Sequence, residues 1–511
     1  MALPQPPQRF GALDAVFLNF ESKEMPLHIG GVGIFDGVVP YEKFVALIES
    51  KLDQIPRYRQ KVVRPFLDVG YPTWQYDPDF DIRRHIFHLE LEPPGTEEQL
   101  RELTGQLFTP MMDREKPLWE LYVVDGLEGG RSAIITKVHH CMVDGVAGIA
   151  LLNVMMETSP EEHAPPAHHK RYHPPKPPDA TSVFMDAFLD SVRQLPQRFI
   201  DVSEGLVGYG SLLAGDDMAQ LGTGKLMTML PELLGPLEKL PFNRPCSGER
   251  RVYWSIYDFQ EARAVKKAAG GSINDVVLTV IAGAVSRYCK LHGQTVRSRF
   301  FRAMVPVNLR PQEDSNGHGA FGNRISLLPV TLPLGTRDPI KRLQQIHGET
   351  EAMKGARTAE LVRMGIGWLG LLPPPVQALA CKMDFLNTFI PLFHMVCTNV
   401  PGPQFPLYAA GKKMLCCYPY VPTGMDVGVS VAVESYDGKL YFGLTTDAQA
   451  APDAERMKEF MDASWLELRK AAKVAAIHET PPKPAAAKRA TAKRAPRKPP
   501  ARRRHEPVAT T

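Results

Sequence analysis

Apolar and polar positions fall into two rhythms along this chain, and the rhythms separate strands from helices. Leu27-His-Ile-Gly-Gly-Val-Gly-Ile-Phe35 and Ser132-Ala-Ile-Ile-Thr-Lys-Val-His-His140 are short, branched and almost continuously apolar, which predicts buried strands. Leu121 to Arg131 reads as a strand and turn feeding the second of these. Tyr41 to Leu52 and Glu97 to Phe108 repeat their apolar residues at helical spacing, and Val146 to Met156 reads as a buried helix. Further on, Gly270-Gly-Ser-Ile-Asn-Asp opens a helix from Val276 to Leu291, with Asn274 or Ser272 near its N-cap. Phe300 to Arg310 and Asn323 to Pro333 are predicted strands. Val427 to Tyr436 and Lys439 to Asp447 form a hairpin about Asp437-Gly438. Ala454 to Ala476 is a closing helix.

These elements make an α/β protein of two similar-sized halves without regular βαβ alternation. The first half covers residues 1–158, a Pro/His-rich linker 159–181, the second half 182–477, and a basic tail 478–511. The linker's histidines (His163, His168, His169, His173) could be taken for a metal tract, but the prolines among them oppose convergence of ligands. The tail, rich in Ala, Pro, Lys and Arg, lacks the apolar residues a core needs and is expected to be disordered.

With 511 residues and 44% hydrophobic content the chain can bury large cores. The net charge of +4 misleads unless divided, because ten Lys/Arg against two Glu from His478 onward exceed it and leave the body acidic. That opposes a specific nucleic-acid role. Seven scattered cysteines without Cys-x-x-Cys spacing indicate neither a disulfide framework nor a zinc ribbon, and favour a reducing, cytoplasmic setting. No signal peptide and no long uncharged apolar span is read.

The candidate chemistry lies at Lys137-Val-His-His-Cys-Met-Val-Asp-Gly145, a His-His-x-x-x-Asp-Gly motif at the end of a strand. Neighbouring strand residues face opposite ways, so His139 and His140 cannot serve one site, and one imidazole is the candidate general base. A metal cage is disfavoured by the same geometry.

The motif resembles that of the chloramphenicol-acetyltransferase and condensation-domain superfamily. Flanking residues narrow the resemblance to the bacterial wax ester synthase/diacylglycerol acyltransferase family over residues 10–470. They are Leu13-Asp-Ala-Val-Phe17, Pro26-Leu-His-Ile-Gly30, Met112-Asp-Arg-Glu-Lys-Pro-Leu-Trp119, Asn274-Asp275, Pro306-Val-Asn-Leu-Arg310 and Asn399-Val-Pro-Gly-Pro403. Gly11-Ala12 departs from the family's usual Leu-Ser. The resemblance implies two pseudo-symmetric chloramphenicol-acetyltransferase-like subdomains with an active-site tunnel at their interface. It implies an acyl-CoA-dependent O-acyltransferase forming triacylglycerol from diacylglycerol, or wax ester from a long-chain alcohol, with no bound cofactor and no metal.

Within that resemblance His140 is the base and then the acid, and His139 is structural. Asp144 forms a buried ion pair with Arg310, and Gly145 allows close backbone approach. Asn274 and Asn399 are candidate oxyanion donors, with a plain helix cap as the alternative for Asn274. Trp119 and Trp368 are candidate tunnel-lining residues, with core packing as the alternative for Trp119. Apolar stretches at 206–240 and 361–397 read as tunnel lining, membrane contact or core, and the basic tail as a contact for anionic lipid, a solubilising segment or a weak nucleic-acid contact. A peripheral location on the inner membrane face or on lipid droplets is expected. The rival readings are an enzyme of the same fold using carrier-protein donors or polyketide or sugar acceptors, and a non-catalytic lipid-droplet coat or lipid-transfer protein.

Overall fold

A computed structural model describes residues 8–143, 148, 152, 154–161, 175, 178–193, 200, 237–296, 300–308, 325–355, 372–382 and 393–476. Asp144, Gly145, Arg310, Trp368, most of the 159–181 linker, the stretches 206–236 and 361–371, and the tail lie outside the described residues. Within them the chain runs β1 (Gln8–Arg9), α1 (Ala12–Phe20), β2 (His28–Phe35), α2 (Tyr41–Lys51), β3 (Gln60–Val63), β4 (Thr73–Tyr76), β5 (Ile86–Glu90), α3 (Glu97–Phe108), β6 (Trp119–Leu127) and β7 (Arg131–His139). The second half adds β8 (Arg250–Asp258), α4 (Phe259–Ala269), α5 (Ile273–Leu291), β9 (Phe300–Asn308), β10 (Ile325–Pro333), α6 (Pro339–Gly355) and α7 (Pro374–Lys382). It closes with β11 (Met395–Pro401), β12 (Tyr408–Ala409), β13 (Lys412–Tyr420), β14 (Val429–Tyr436), β15 (Lys439–Asp447) and α8 (Glu455–Ala471).

Local chemistry accounts for the element ends that the sequence reading anticipates. Thr96 and Gln99 form a capping box at α3, each side chain bonding the other's backbone N–H. Asp437 and Gly438 both take positive φ (42° and 80°), the conformation of a two-residue hairpin turn, and β14 and β15 pair antiparallel from Tyr436↔Lys439 outward. At α5 the cap is Ser272, whose side chain accepts from Asp275 N, so Asn274 lies inside the first turn and is not the cap.

Two six-stranded sheets carry the architecture, ordered β12-β13-β2-β7-β6-β5 and β10-β9-β11-β14-β15-β8. Each has its own apolar core. The division at residues 158/182 does not hold as drawn, because β13 comes from the second half of the sequence yet pairs with β2, Tyr418 opposite Val32. The pattern Lys-Lys-Met-Leu-Cys-Cys-Tyr-Pro-Tyr hides this strand, and its register shifts between Met414 and Cys416. Where β13 meets the second sheet, Trp254 stacks on Tyr418 with ring centroids 4.3 Å apart. A Cβ on Gly443 would collide with the Pro419 carbonyl oxygen, so only glycine lets the two sheets approach this closely.

A buried ion pair braces the same junction. Arg250 Nη1 lies 3.0 Å from Asp447 Oδ2, with both side chains fully enclosed. Arg250 Nη2 donates to Glu24 O (2.9 Å) and Thr423 O (2.8 Å), tying β8 to the loop before β2 and to the segment after β13. Among the described residues no single helix is long and apolar enough to cross a membrane.

Candidate active site

β7 is buried along most of its length and lies inside its sheet, flanked by β2 and β6. It ends at His139, and His140 stands one residue past the strand, its backbone N–H still donating to Leu27 O at 2.9 Å. The two imidazoles diverge as the alternation requires. His140 lines a cavity of about 330 Å³ between the two sheets. Its ring is stacked on Phe17 of α1, centroids 4.0 Å apart and planes within 8°.

His139 is fully buried on the other side. Its Nδ1 accepts from Cys141 N (3.0 Å), and its Nε2 lies 3.3 Å from Glu21 Oε2. Arg114 Nη2 donates to the same Glu21 oxygen at 2.7 Å, and the other oxygen accepts from Leu27 N at 3.2 Å. Burial by itself would raise the Glu21 carboxyl, but the His139 ring, Arg114 and His28 together hold it well below the usual carboxylate range. Burial and the nearby Lys137 ammonium push His28 well below the ordinary imidazole range. Three motifs seen separately in the sequence, around His28, Arg114 and His139, thus meet on one carboxylate behind β7. Glu21 and Phe17 were not singled out in the sequence. Phe17 closes the Leu13–Phe17 motif, and that membership was its only signal.

Residues from the second half of the sequence complete the cavity. Thr398, Asn399 and Val400 of β11, Ala432 and Glu434 of β14, Pro306 of β9, and Cys417 and Tyr420 of β13 all line it. Asn399 therefore shares a cavity with His140. Its Nδ2 donates to Asn274 Oδ1 at 3.5 Å, a long contact that joins the two candidate asparagines. Asp275, next to Asn274, is buried and accepts from Ser272 N (2.7 Å) and Thr350 Oγ1 (2.8 Å), which fixes the start of α5 against α6.

Trp119 does not line this cavity. Its indole is fully buried, donates from Nε1 to Tyr58 O at 2.8 Å and stacks on His85 at 4.4 Å, so the tunnel-lining expectation is corrected to core packing. Tyr58, which it supports, does reach the cavity wall. The Asp144–Arg310 pair, Gly145 and Trp368 fall outside the described residues. The junction pair within them is Arg250–Asp447, which the sequence reading missed because neither residue belongs to a recognisable motif.

Burial pushes the thiols of Cys141 and Cys417 well above the usual thiol range. At neutral pH both stay protonated and are poor nucleophiles. No group of three His, Cys, Asp or Glu side chains converges as a metal site among the described residues.

The family model for the wax ester synthase/diacylglycerol acyltransferase catalytic domain matches residues 10–277, and that for the WS/DGAT C-terminal domain matches residues 321–469. The chain is 31% identical over 451 residues to the probable diacylglycerol O-acyltransferase tgs1 of Mycobacterium tuberculosis, covering 87% of this chain and 92% of that one. It is 30% identical over 472 residues to tgs2 of the same species, covering 90% and 98%. Among solved structures the fold is similar to the wax ester synthase/diacylglycerol acyltransferase from Marinobacter aquaeolei VT8, with a TM-score of 0.61, 23% identity, and 91% and 100% of the two chains covered. It is also similar to the first condensation domain of the calcium-dependent antibiotic synthetase, with a TM-score of 0.56, 13% identity, and 93% and 98% covered.

Proposed function

This chain belongs to the wax ester synthase/diacylglycerol acyltransferase family and is an O-acyltransferase of neutral-lipid synthesis, and we propose that His140 is the general base that takes the proton of a lipid hydroxyl as the acyl group passes directly to it from acyl-CoA. One observation carries the reading: the His140 ring lines the cavity between the two sheets and shares it with Asn399.

One imidazole suits both halves of the reaction, because the same ring nitrogen can accept a proton and later return it. It takes the proton of the acceptor hydroxyl as that oxygen bonds to the thioester carbonyl carbon. The carbonyl oxygen becomes negative and needs a donor, for which the Asn399 amide is the candidate, oriented by Asn274. Collapse breaks the carbon–sulfur bond, the imidazolium returns its proton to the CoA thiolate, and ester and free thiol leave. The protonated, buried Cys141 and Cys417 support a route without a covalent acyl-enzyme. Asp144, paired with Arg310, and Gly145 serve in this reading to hold the turn after His140, and Trp368 to line the lipid path.

The acceptor is diacylglycerol or a long-chain alcohol. The basic tail supports peripheral attachment to a membrane or droplet surface, at about 1 kcal/mol per basic residue near anionic lipid. Failure of the whole chain to sediment with anionic vesicles would remove that attachment. For the chemistry, purified protein is incubated with labelled palmitoyl-CoA and either hexadecanol or diolein, and the products are separated. His140→Ala, with unchanged circular dichroism, is expected to lose roughly 10²- to 10⁴-fold in rate. Undiminished ester formation by that variant would refute the assignment.

A further inference from the structure

Glu434 is a buried acid that the acyl-transfer chemistry does not use. It stands on β14 at the register position of Val400, one residue past Asn399 on the neighbouring strand β11, and lines the same cavity as His140. It is only 4% exposed. A weak donor, Cys417 Sγ, lies 3.6 Å from Oε2. Oε1 has no hydrogen-bond partner among the described residues. A buried polar atom left unmet disfavours folding, and in a lipid-binding cavity it discriminates among ligands by what they offer it.

A fatty acyl chain and an alkanol chain carry no oxygen beyond those that react. A glyceride does, since each of its ester groups adds a carbonyl. We propose that Glu434 is a specificity residue of the cavity, whose carboxyl donates a hydrogen bond to an ester carbonyl of an acylglycerol acceptor and so favours that acceptor over a plain long-chain alcohol. This rests on the acyltransferase reading of the same cavity. Donation requires the acid form, and burial supplies it by raising the carboxyl to about 8 despite the Cys417 contact.

The test measures kcat/KM for diolein, for a dialkylglycerol that lacks the ester carbonyls, and for hexadecanol, each with palmitoyl-CoA. Wild type, Glu434→Leu and Glu434→Gln are compared. The ratio of diolein to hexadecanol is expected to fall about three- to tenfold in Glu434→Leu, the loss of one neutral hydrogen bond. Glu434→Gln, which keeps a neutral donor of the same shape, is expected to restore the ratio. The wild type should also favour diolein over the dialkylglycerol by more than Glu434→Leu does. A ratio that stays put in Glu434→Leu overturns the proposal, as does an equal rise in the acyl-CoA KM with both acceptors, which would assign the contact to the donor. Absence of transfer to any acceptor by the wild type would overturn the acyltransferase reading as well, so the two failures are told apart.

Discussion

Replacing Arg250 with methionine removes the guanidinium that joins β8, β15, the loop before β2 and the segment after β13. Three bonds go at once: the 3.0 Å contact to Asp447 and the donations to Glu24 O and Thr423 O at 2.9 and 2.8 Å. Breaking a fully buried pair typically costs about 3–5 kcal/mol, because the surviving charge is left without its counterion. Asp447 keeps four backbone donors, from Ser247, Gly248, Gln449 and Ala450, at 2.9 to 3.1 Å. These hold much of its charge and place the expectation at the lower end, about 3 kcal/mol. That is more than a hundredfold in the ratio of folded to unfolded protein. Urea unfolding followed by tryptophan fluorescence reads it out, since Trp254 sits at this junction against Tyr418. An Asp447→Asn variant and the double variant complete a cycle, and a coupling of about 1.5 kcal/mol or more is expected for groups in direct contact. A loss under about 1 kcal/mol in Arg250→Met, or additive single and double effects, would refute the argument that the pair braces the two sheets.

Acid should unfold the protein through its buried histidines. Burial lowers His85 and His394 to about 4, while the unfolded chain protonates them at about 6.5, so the unfolded state binds more protons and stability falls as pH drops from about 6.5 to 4. Glu21 adds to the acid limb lower down. Its folded carboxyl is depressed, so its contribution is full above about 4.3 and is lost as pH falls further, and Glu21→Gln should flatten that part of a stability-versus-pH curve. Phe17→Ala removes the ring stacked on His140 and is expected to lower kcat about tenfold with little change in the KM for acyl-CoA, a misplaced base costing rate more than binding; steady-state kinetics with an unchanged kcat would count against a positioning role. Asn399→Ala should lower kcat by roughly 10²- to 10³-fold if its amide meets the oxyanion, and single-turnover rates equal to wild type would remove it from that role.

Much of the fold can be read locally. Glu97–Phe108 follows from its capping box and periodicity, the 429–447 hairpin from Asp437-Gly438, and β7 from a run of branched residues buried on both faces. The separation of His139 from His140 also follows from the sequence alone, because strand alternation is a property of the backbone and does not depend on what surrounds it. Family membership is equally legible, since its motifs are short and ordered along the chain.

Pairing across long separations has no such local signal. Whether Lys412–Tyr420 joins the sheet of β2 depends on which exposed strand edge the folded halves leave beside it, and nothing in its own residues states that. The same holds for Phe17 on His140, Arg250 on Asp447 and Glu434 on the cavity wall. A side chain's role there is set by burial and by partners hundreds of residues away, where the environment changes what an ordinary carboxyl or arginine does. The sequence by itself determined the strand, the motif and the divergence of its two histidines. Only the tertiary structure decided what packs on His140 and what else shares its cavity.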